Sequence, residues 1–142
     1  MDLQFKKLRP NIITPTRGTP ESSGLDIYSD QLLFIPPHSD YSFPTGLVFD
    51  IPEGYDLCVY NKSGTSTKLK VLKGAELIDS DYIGEIHIHL FNLSNKYVRF
   101  KPGDKLAQIV MRPVVYPDLV EVNEITRKTI RGTGGFGSTD RI

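Results

Sequence analysis

Hydrophobic and polar residues alternate in short segments along most of the chain. The clearest segment spans residues 85–91, where Ile86, Ile88 and Leu90 fall on one face of an extended strand. Similar segments, alternating or continuously apolar, cover residues 3–8, 32–35, 47–49, 55–60, 106–110 and 119–122. Gly or Pro separates nearly all of them at spacings of about 8–12 residues, which predicts an all-β sandwich or barrel. Only residues 63–70 offer a turn or two of helix.

Composition limits the class of protein that can carry this pattern. With 142 residues the chain has the length of one domain. Cys58 is the only cysteine, which excludes an internal disulfide and favours a reducing, cytoplasmic compartment. Lys plus Arg and Asp plus Glu both number 17, so the chain lacks the basic field of a nucleic-acid-binding protein. It also lacks an apolar run of roughly 20 residues and a signal-peptide core, so we expect a soluble protein with no membrane partner.

The charged residues of the central region are segregated into two neighbouring blocks. Residues 61–73 contain four lysines and no acidic residue, whereas residues 74–85 contain four acidic residues and no basic one. Two interpretations remain open at this point. The blocks pair with each other on the surface, or they form a cationic cradle for phosphate beside an acidic edge that handles a metal or water.

The segment of residues 131–139 differs in kind from the rest of the chain. It holds four glycines around Arg131 and Phe136, and it has too little apolar side chain to form a core. It is either a frayed terminus or a flexible lid. The lid is favoured because glycine lets backbone N–H groups approach an anion, arginine supplies a bidentate fork and phenylalanine offers a stacking face. A linker needs neither of those two side chains.

The sequence gives little support to nucleophilic or zinc catalysis. Cys58 lies within an alternating apolar strand, where cysteine usually behaves as a small buried hydrophobic residue. His87 and His89 share one face of a strand, but no set of Cys and His residues completes a four-ligand zinc site. We therefore interpret both histidines as ordinary sheet residues.

Residues 75–85 form a more suggestive segment. Asp79, Ser80 and Asp81, followed by Gly84, predict a hairpin turn between an apolar strand at 77–78 and the strand that follows. An aspartate at the end of a strand, next to a tyrosine and close to a lysine-rich stretch, suits a carboxylate that orients water beside a metal-complexed phosphate.

Five segments together resemble the homotrimeric dUTP diphosphatases (dUTPases). They occur in the family's order and cover most of the chain. The segments are SGLDIYS at 23–29, NKSGTS at 61–66, GAELIDSDYIGE at 74–85, PGDKLAQ at 102–108 and RGTGGFGST at 131–139. The resemblance implies a jelly-roll β-barrel in which residues 1–126 form the body and residues 127–142 form a lid over a neighbouring subunit's site. It also implies a homotrimer that hydrolyses dUTP to dUMP and pyrophosphate with Mg²⁺, by water attack on the α-phosphorus.

The same resemblance implies a role for individual residues. Asp79 would hold and polarise the attacking water, and Asp26 would position the hydration shell of the magnesium ion. The residues implied in substrate binding are Lys62, Ser63, Gly64, Glu76, Leu77, Ile78, Tyr82, His87, Gln108, Arg131, Phe136, Gly137, Ser138 and Thr139.

These residues would divide between the parts of the nucleotide. Main-chain groups of residues 76–78 would pair with uracil and leave no room for a thymine methyl group. Tyr82 would lie under the deoxyribose and exclude a ribose 2′-hydroxyl. Ser63, Gly64 and Gln108 would bind the phosphates. In the last segment, the arginine would pair with the γ-phosphate and the phenylalanine would stack on the uracil.

Four positions depart from the family pattern. Lys62 replaces the usual arginine and loses its planar fork, and Ile83 replaces a polar or basic residue. Glu76 and Asp140 both replace glycine, and each places a carboxylate near a predicted phosphate or base site. The presumed chemical group, Asp79, is retained.

Two other functions are compatible with the same fold. A dCTP deaminase-like enzyme would need a glutamate with serine and arginine on the pocket wall, whereas this hairpin carries an aspartate and a tyrosine. A regulatory or binding protein on the dUTPase scaffold is the other alternative, motivated by substituted pocket positions such as Glu76.

Overall fold

The computed structural model describes residues 1–140, and the regular secondary structure within them is almost entirely β. It has one short helix, α1 (Ser63–Lys68). The strands, in chain order, are β1 (Gln4–Lys7), β2 (Thr16–Arg17), β3 (Leu25–Tyr28), β4 (Leu33–Ile35), β5 (Asp40–Pro44), β6 (Leu47–Asp50), β7 (Tyr55–Tyr60), β8 (Val71–Lys73), β9 (Leu77–Ile78), β10 (His87–Asn92), β11 (Val98–Phe100) and β12 (Lys105–Pro113). This confirms the prediction of an all-β fold.

The strands form four antiparallel sheets around one core. The largest sheet has the order β2-β3-β12-β7-β9, and a second sheet has the order β5-β10-β8. Two-stranded ribbons, β1-β6 and β4-β11, complete the structure. All four sheets contribute to a single cluster of buried side chains, among them Ile109, Ile88, Phe49 and Phe100. In β4, β6, β10 and β11 the alternating apolar residues therefore form the inward face of the strand.

The central strand β12 determines the geometry of the largest sheet. It pairs with β3 on one side and with β7 on the other, so residues from distant parts of the chain lie next to each other. Asp26 of β3 and Tyr60 of β7 are both partners of Gln108 in the strand register. This strand therefore brings the first, second and fourth sequence motifs to one place.

The prediction of a hairpin at residues 77–90 is wrong in its pairing. Strand β9 pairs with β7, whereas β10 pairs with β5 and β8 in another sheet. The turn itself is present, closed by the amide of Tyr82, which donates to the carbonyl of Asp79 at 3.1 Å. A two-residue strand gains little from pairing with its neighbour in sequence, whereas β10 matches five residues of β5. The turn thus carries the chain from one sheet to another.

The predicted strand at residues 119–122 is also wrong. This segment has no regular secondary structure, and Leu119 is 96% exposed. No strand within the described part of the chain lies beside this segment, so its alternating residues do not form a strand. The prediction of a turn or two of helix after residue 62 is confirmed by α1, and Cys58 is buried as expected. No helix within residues 1–140 is long and apolar enough to cross a bilayer.

Candidate active site

Asp26 lies at the centre of a charged cluster on the largest sheet. Its side chain is only 6% exposed, and it forms ion pairs with Lys62, which precedes α1, and with Lys105 at the start of β12. The distance from Lys105 Nζ to Asp26 Oδ2 is 3.0 Å. Burial alone would raise the pKa of Asp26, but the hydrogen bonds from both lysines outweigh it and lower the pKa. The carboxylate is therefore held ionised, with a lysine on each oxygen.

Gln108 lies beside this cluster and forms part of the wall of a cleft. Its Nε2 donates to the carbonyl of Asn61 at 2.9 Å. A Cβ atom on Gly24 would lie 3.0 Å from Gln108 Cδ and closer still to Oε1, so only glycine permits this approach. The open cleft between these residues also has Ser23 and Tyr60 in its wall and has a volume of about 550 Å³.

The second motif continues from this cleft into α1. The amide of Ser66 donates to the carbonyl of Lys62 at 2.9 Å, which starts the helix, and Gly64 has open space around it. Ser63 and Gly64 are both exposed. The structure thus brings the first, second and fourth motifs together, as their resemblance to the family implies.

Asp79 lies in a second, smaller cavity of about 230 Å³. The side chains that form this cavity are Leu77, Ile78, Asp79, Tyr82, Glu85, Ile86 and His87. Five of these were predicted from the sequence to bind substrate or act on it. The carboxylate of Asp79 is exposed to solvent, whereas Ile86 is buried behind it. The cavity therefore offers an accessible carboxylate next to a small, partly apolar enclosure.

A hydrogen bond from its hydroxyl group holds Tyr82 in the wall of this cavity. The hydroxyl donates to the carbonyl of Glu85 at 2.6 Å. A Cβ atom on Gly84 would lie 2.7 Å from the Tyr82 oxygen, so the glycine of this motif makes room for the tyrosine. The ring itself is 46% exposed and is free to contact a ligand.

The carboxylate of Glu76, which the sequence placed near a predicted phosphate or base site, is paired with a neighbouring lysine. Its carboxylate forms an ion pair with Lys73, and this hydrogen bond lowers the pKa of Glu76. The residue is also absent from the left-handed backbone conformations of residues 1–140, so the change from glycine costs no strain here. The lysine offsets the charge that would otherwise repel phosphate.

The two charge blocks pair only in part. Lys73 reaches across to Glu76 of the acidic block, whereas Lys62 pairs with Asp26, which lies outside it. Lys68 and Lys70 are exposed. Surface pairing accounts for one end of the basic block, and the other end belongs to the cleft beside Gln108.

The glycine-rich segment does not reach either cavity within a single chain. Its recorded hydrogen bonds are local, for example from Arg131 Nε to the carbonyl of Gly134 at 2.8 Å. The ring of Phe136 is fully exposed, and Ser138 and Thr139 are exposed as well. Gly137 has a φ of +91°, which glycine adopts readily. The lid residues are thus presented to solvent at a distance from the motifs they would complete.

Sequence reasoning missed two charged residues that the structure connects to the site. Lys105 belongs to the fourth motif, and its place there was a usable signal. In the fold it pairs with Tyr28 in the strand register, and its ammonium group reaches Asp26. Arg9 lies outside every motif, yet it bonds to Glu85 in the wall of the smaller cavity. Nothing in the local sequence indicated that contact, because 76 positions separate the two residues.

A family model described as dUTPase matches residues 10–140. The chain belongs to the dUTPase family. Deoxyuridine 5′-triphosphate nucleotidohydrolase from Oryza sativa subsp. japonica is 39% identical, over 96% of this chain and 80% of its own length. The protein of the same name from Nautilia profundicola is also 39% identical, over 99% of this chain and 100% of its own.

Solved structures of other dUTPases have the same fold. A variant dUTPase from Staphylococcus bacteriophage 80alpha, solved with dUpNHpp, has a TM-score of 0.89 at 27% identity and covers 97% of this chain and 98% of its own. A variant dUTPase from phage phi11 of S. aureus, described for the coordination of a structural Mg(II) ion, has a TM-score of 0.84 at 25% identity. It covers 89% of this chain and 100% of its own.

Proposed function

We propose that this dUTPase-family chain hydrolyses dUTP to dUMP and pyrophosphate by attack of water on the α-phosphorus. The observation that carries the proposal is the smaller cavity, where the accessible carboxylate of Asp79 lies beside Tyr82 and the edge strand β9. A carboxylate that accepts a hydrogen bond from water orients the water and accepts its proton as the water attacks. Since phosphoryl transfer needs mainly positioning and electrostatic stabilisation, no His or Cys nucleophile is required.

The edge strand supports recognition of the base by main-chain groups. Strand β9 is the last strand of its sheet and pairs with β7 on one side. The other edge of residues Leu77 and Ile78 therefore has backbone groups that no strand of the described chain occupies. Such groups present the alternating donors and acceptors that a pyrimidine edge needs. Tyr82 and His87 would enclose the base and sugar from the cavity wall.

The larger cleft would hold the triphosphate. Gln108 lies in its wall together with Asn61, which leads directly into Lys62, Ser63 and Gly64. These residues would bind the phosphates, and Asp26 would contact the magnesium ion through water. The buried carboxylate of Asp26 is already paired with two lysines, which fits contact through water with an ion bound mainly by the phosphates. Magnesium would supply positive charge to the phosphoryl oxygens when bound.

The lid would act on a neighbouring copy. We propose that residues 1–126 form the body, that residues 127–142 close over the site of another subunit, and that three copies share their sites in this way. Residues 141 and 142 lie outside the described part of the chain. Within that part, exposure of Arg131 and Phe136 supports the proposal, as do the uncovered apolar residues that precede them. Gly137, Ser138 and Thr139 would assist with backbone and hydroxyl donors. The single buried Cys58 fits a reduced, cytoplasmic environment.

A nucleotide panel with Mg²⁺ tests this function. We expect the release of pyrophosphate from dUTP and not from dCTP or dTTP. Asp79→Asn should reduce turnover by at least about a hundredfold, the lower range for loss of a group that acts on the attacking water. Asp81→Asn is the matched control, because it changes an exposed aspartate of the same turn. Release of ammonia from dCTP would instead identify a deaminase.

A regulatory role is the second candidate. A structure of phage 80alpha dUTPase with dUpNHpp is described in connection with control of the transfer of virulence genes by a G protein-like mechanism. If the wild-type chain binds dUTP but turns it over no faster than Asp79→Asn, the regulatory role replaces the enzymatic one. Light scattering of the same samples measures the number of subunits.

A further inference from the structure

Arg9 joins four separate parts of the chain near the smaller cavity. Its Nε donates to Asp30 Oδ2 at 3.0 Å, and Nη2 donates to Asp30 Oδ1 at 3.3 Å. Nη2 also donates to the carbonyl of Pro44 at 2.7 Å, and Nη1 donates to Glu85 Oε1 at 3.0 Å. The guanidinium group thus uses all three of its nitrogens. Planar, directional donors of this kind hold their partners more firmly than a lysine would.

The surroundings of Arg9 are built to admit it. The amide of Gly46 donates to the same oxygen of Glu85 at 2.8 Å. Gly46 has a φ of +71°, and a Cβ atom there would lie 2.9 Å from Arg9 Nη1 and 2.5 Å from Ile12 Cδ1. A side chain at position 46 would therefore push the guanidinium away from Glu85. The carboxylate of Glu85 has fixed donors on two sides.

Glu85 in turn determines where Tyr82 lies. The hydroxyl of Tyr82 donates to the main-chain carbonyl of Glu85 at 2.6 Å, and the ring has few other restraints because nearly half of it is exposed. Asp79, Tyr82 and Glu85 all line the smaller cavity. A displacement of Glu85 would move the carbonyl that holds the tyrosine hydroxyl. The height of the ring above the cavity would change with it.

We propose that Arg9 is a positioning residue that acts through Glu85 on Tyr82 and thereby sets the discrimination between deoxyribose and ribose. The proposal rests on the proposed function, in which Tyr82 lies under the sugar. Exclusion of one hydroxyl group depends on a steric contact that a shift of less than 1 Å relaxes. Misplacement on that scale costs up to about a hundredfold in an enzyme site, and we expect roughly five- to tenfold here because the ring stays attached to its turn.

The test compares binding of the imido analogues of dUTP and UTP, which does not depend on turnover. The ratio of their dissociation constants should fall about five- to tenfold in Arg9→Met, chiefly because the ribonucleotide binds more tightly. Glu85→Gln keeps the size of the side chain and should shift the ratio in the same direction. The double variant should add little, because both changes break one contact. Arg99→Met is the matched control on an exposed strand position and should leave the ratio unchanged.

Asp30→Asn separates positioning from stability. It weakens one anchor of Arg9 while leaving the bond to Glu85, so we expect a lower melting temperature with an unchanged ratio. An unchanged ratio in both Arg9→Met and Glu85→Gln would overturn the proposal even if the wild type hydrolyses dUTP. A changed ratio in a chain that does not hydrolyse dUTP would sustain it while refuting the proposed reaction.

Discussion

The close approach of Gly24 to Gln108 offers a direct test of how the phosphate cleft is built. In Gly24→Ala the new methyl group would lie 3.0 Å from Gln108 Cδ and 3.1 Å from Cβ. Gln108 would have to rotate and give up its hydrogen bond to Asn61. The backbone of Gly24 is not among the left-handed positions of residues 1–140, so alanine meets no backbone strain there.

The magnitude follows from two contributions. Loss of the amide hydrogen bond costs about 0.5–1.5 kcal/mol in the free energy of unfolding. Overpacking by one methyl group in a tight site costs about 1–3 kcal/mol. We therefore expect Gly24→Ala to lower the free energy of unfolding by about 1.5–4.5 kcal/mol. If Gln108 also contacts a phosphate, KM for dUTP rises about two- to tenfold.

Urea unfolding measured by circular dichroism gives the first quantity, and steady-state pyrophosphate release gives the second. Gly64→Ala is the matched control for the unfolding measurement alone, because nothing lies within 4 Å of a Cβ atom there and because Gly64 itself is proposed to bind phosphate. That change should raise helix stability by up to about 1 kcal/mol. In a Gln108→Ala background the cost of Gly24→Ala should drop to below about 1 kcal/mol, since only the Cβ contact remains.

Two results would refute this reasoning. The first is a Gly24→Ala protein whose free energy of unfolding lies within about 0.5 kcal/mol of the wild type, the range of an ordinary surface change. The second is a cost that Gln108→Ala fails to relieve. Either result would mean that the glycine is required for something other than space for Gln108.

Three further predictions concern charge and the lid. The amide of Lys101 donates to the carboxylate of Asp104, and this hydrogen bond is the main cause that lowers the pKa of Asp104. The stability that the bond adds should be fully present above about pH 3.8, the unfolded pKa, and should be lost as the pH falls through the lower pKa of the folded state. Urea midpoints of wild type and Asp104→Asn should therefore differ at pH 7 and converge as the pH falls below the folded pKa of Asp104. Lys105→Met should raise KM for dUTP and lower the melting temperature because Asp26 keeps only one lysine, and an unchanged KM would mean that Lys105 takes no part in binding. A chain truncated after residue 126 should keep its free energy of unfolding but lose most dUTP turnover, and full turnover would remove the lid from the mechanism.

Local patterns predicted the elements whose stability is itself local. The alternation in residues 55–60 became strand β7 with the same bounds, and the short polar stretch after Lys62 became α1. The turn that holds Asp79 and Tyr82 was predicted because adjacent residues form it, and in the fold it keeps its own hydrogen bond. The prediction failed where a segment needs a distant partner. Residues 119–122 carry a strand-like pattern but have no strand beside them within the described chain.

Pairing across the fold decided the remaining parts of the site. The sequence could not show that β9 and β10 belong to different sheets, because the turn between them is compatible with either arrangement. It also gave no indication that Lys62 would bond to Asp26 rather than remain free for phosphate. The contact from Arg9 to Glu85 is of the same kind. Both contacts depend on which strands lie side by side, and the packing of the whole core determines that arrangement.

The sequence by itself determined the strand content, the residues able to do chemistry and the family resemblance, because these are properties of neighbouring residues and of motif order. Tertiary structure alone decided which charges neutralise each other and which main-chain edge stays open. The pairing of strand β12 determines both, since it places Asp26 and Tyr60 on either side of Gln108. A hydrogen bond forms only within about 3 Å, and Coulombic energy weakens as the charges move apart. Both therefore depend on which residues lie side by side in the fold and not on their distance along the chain.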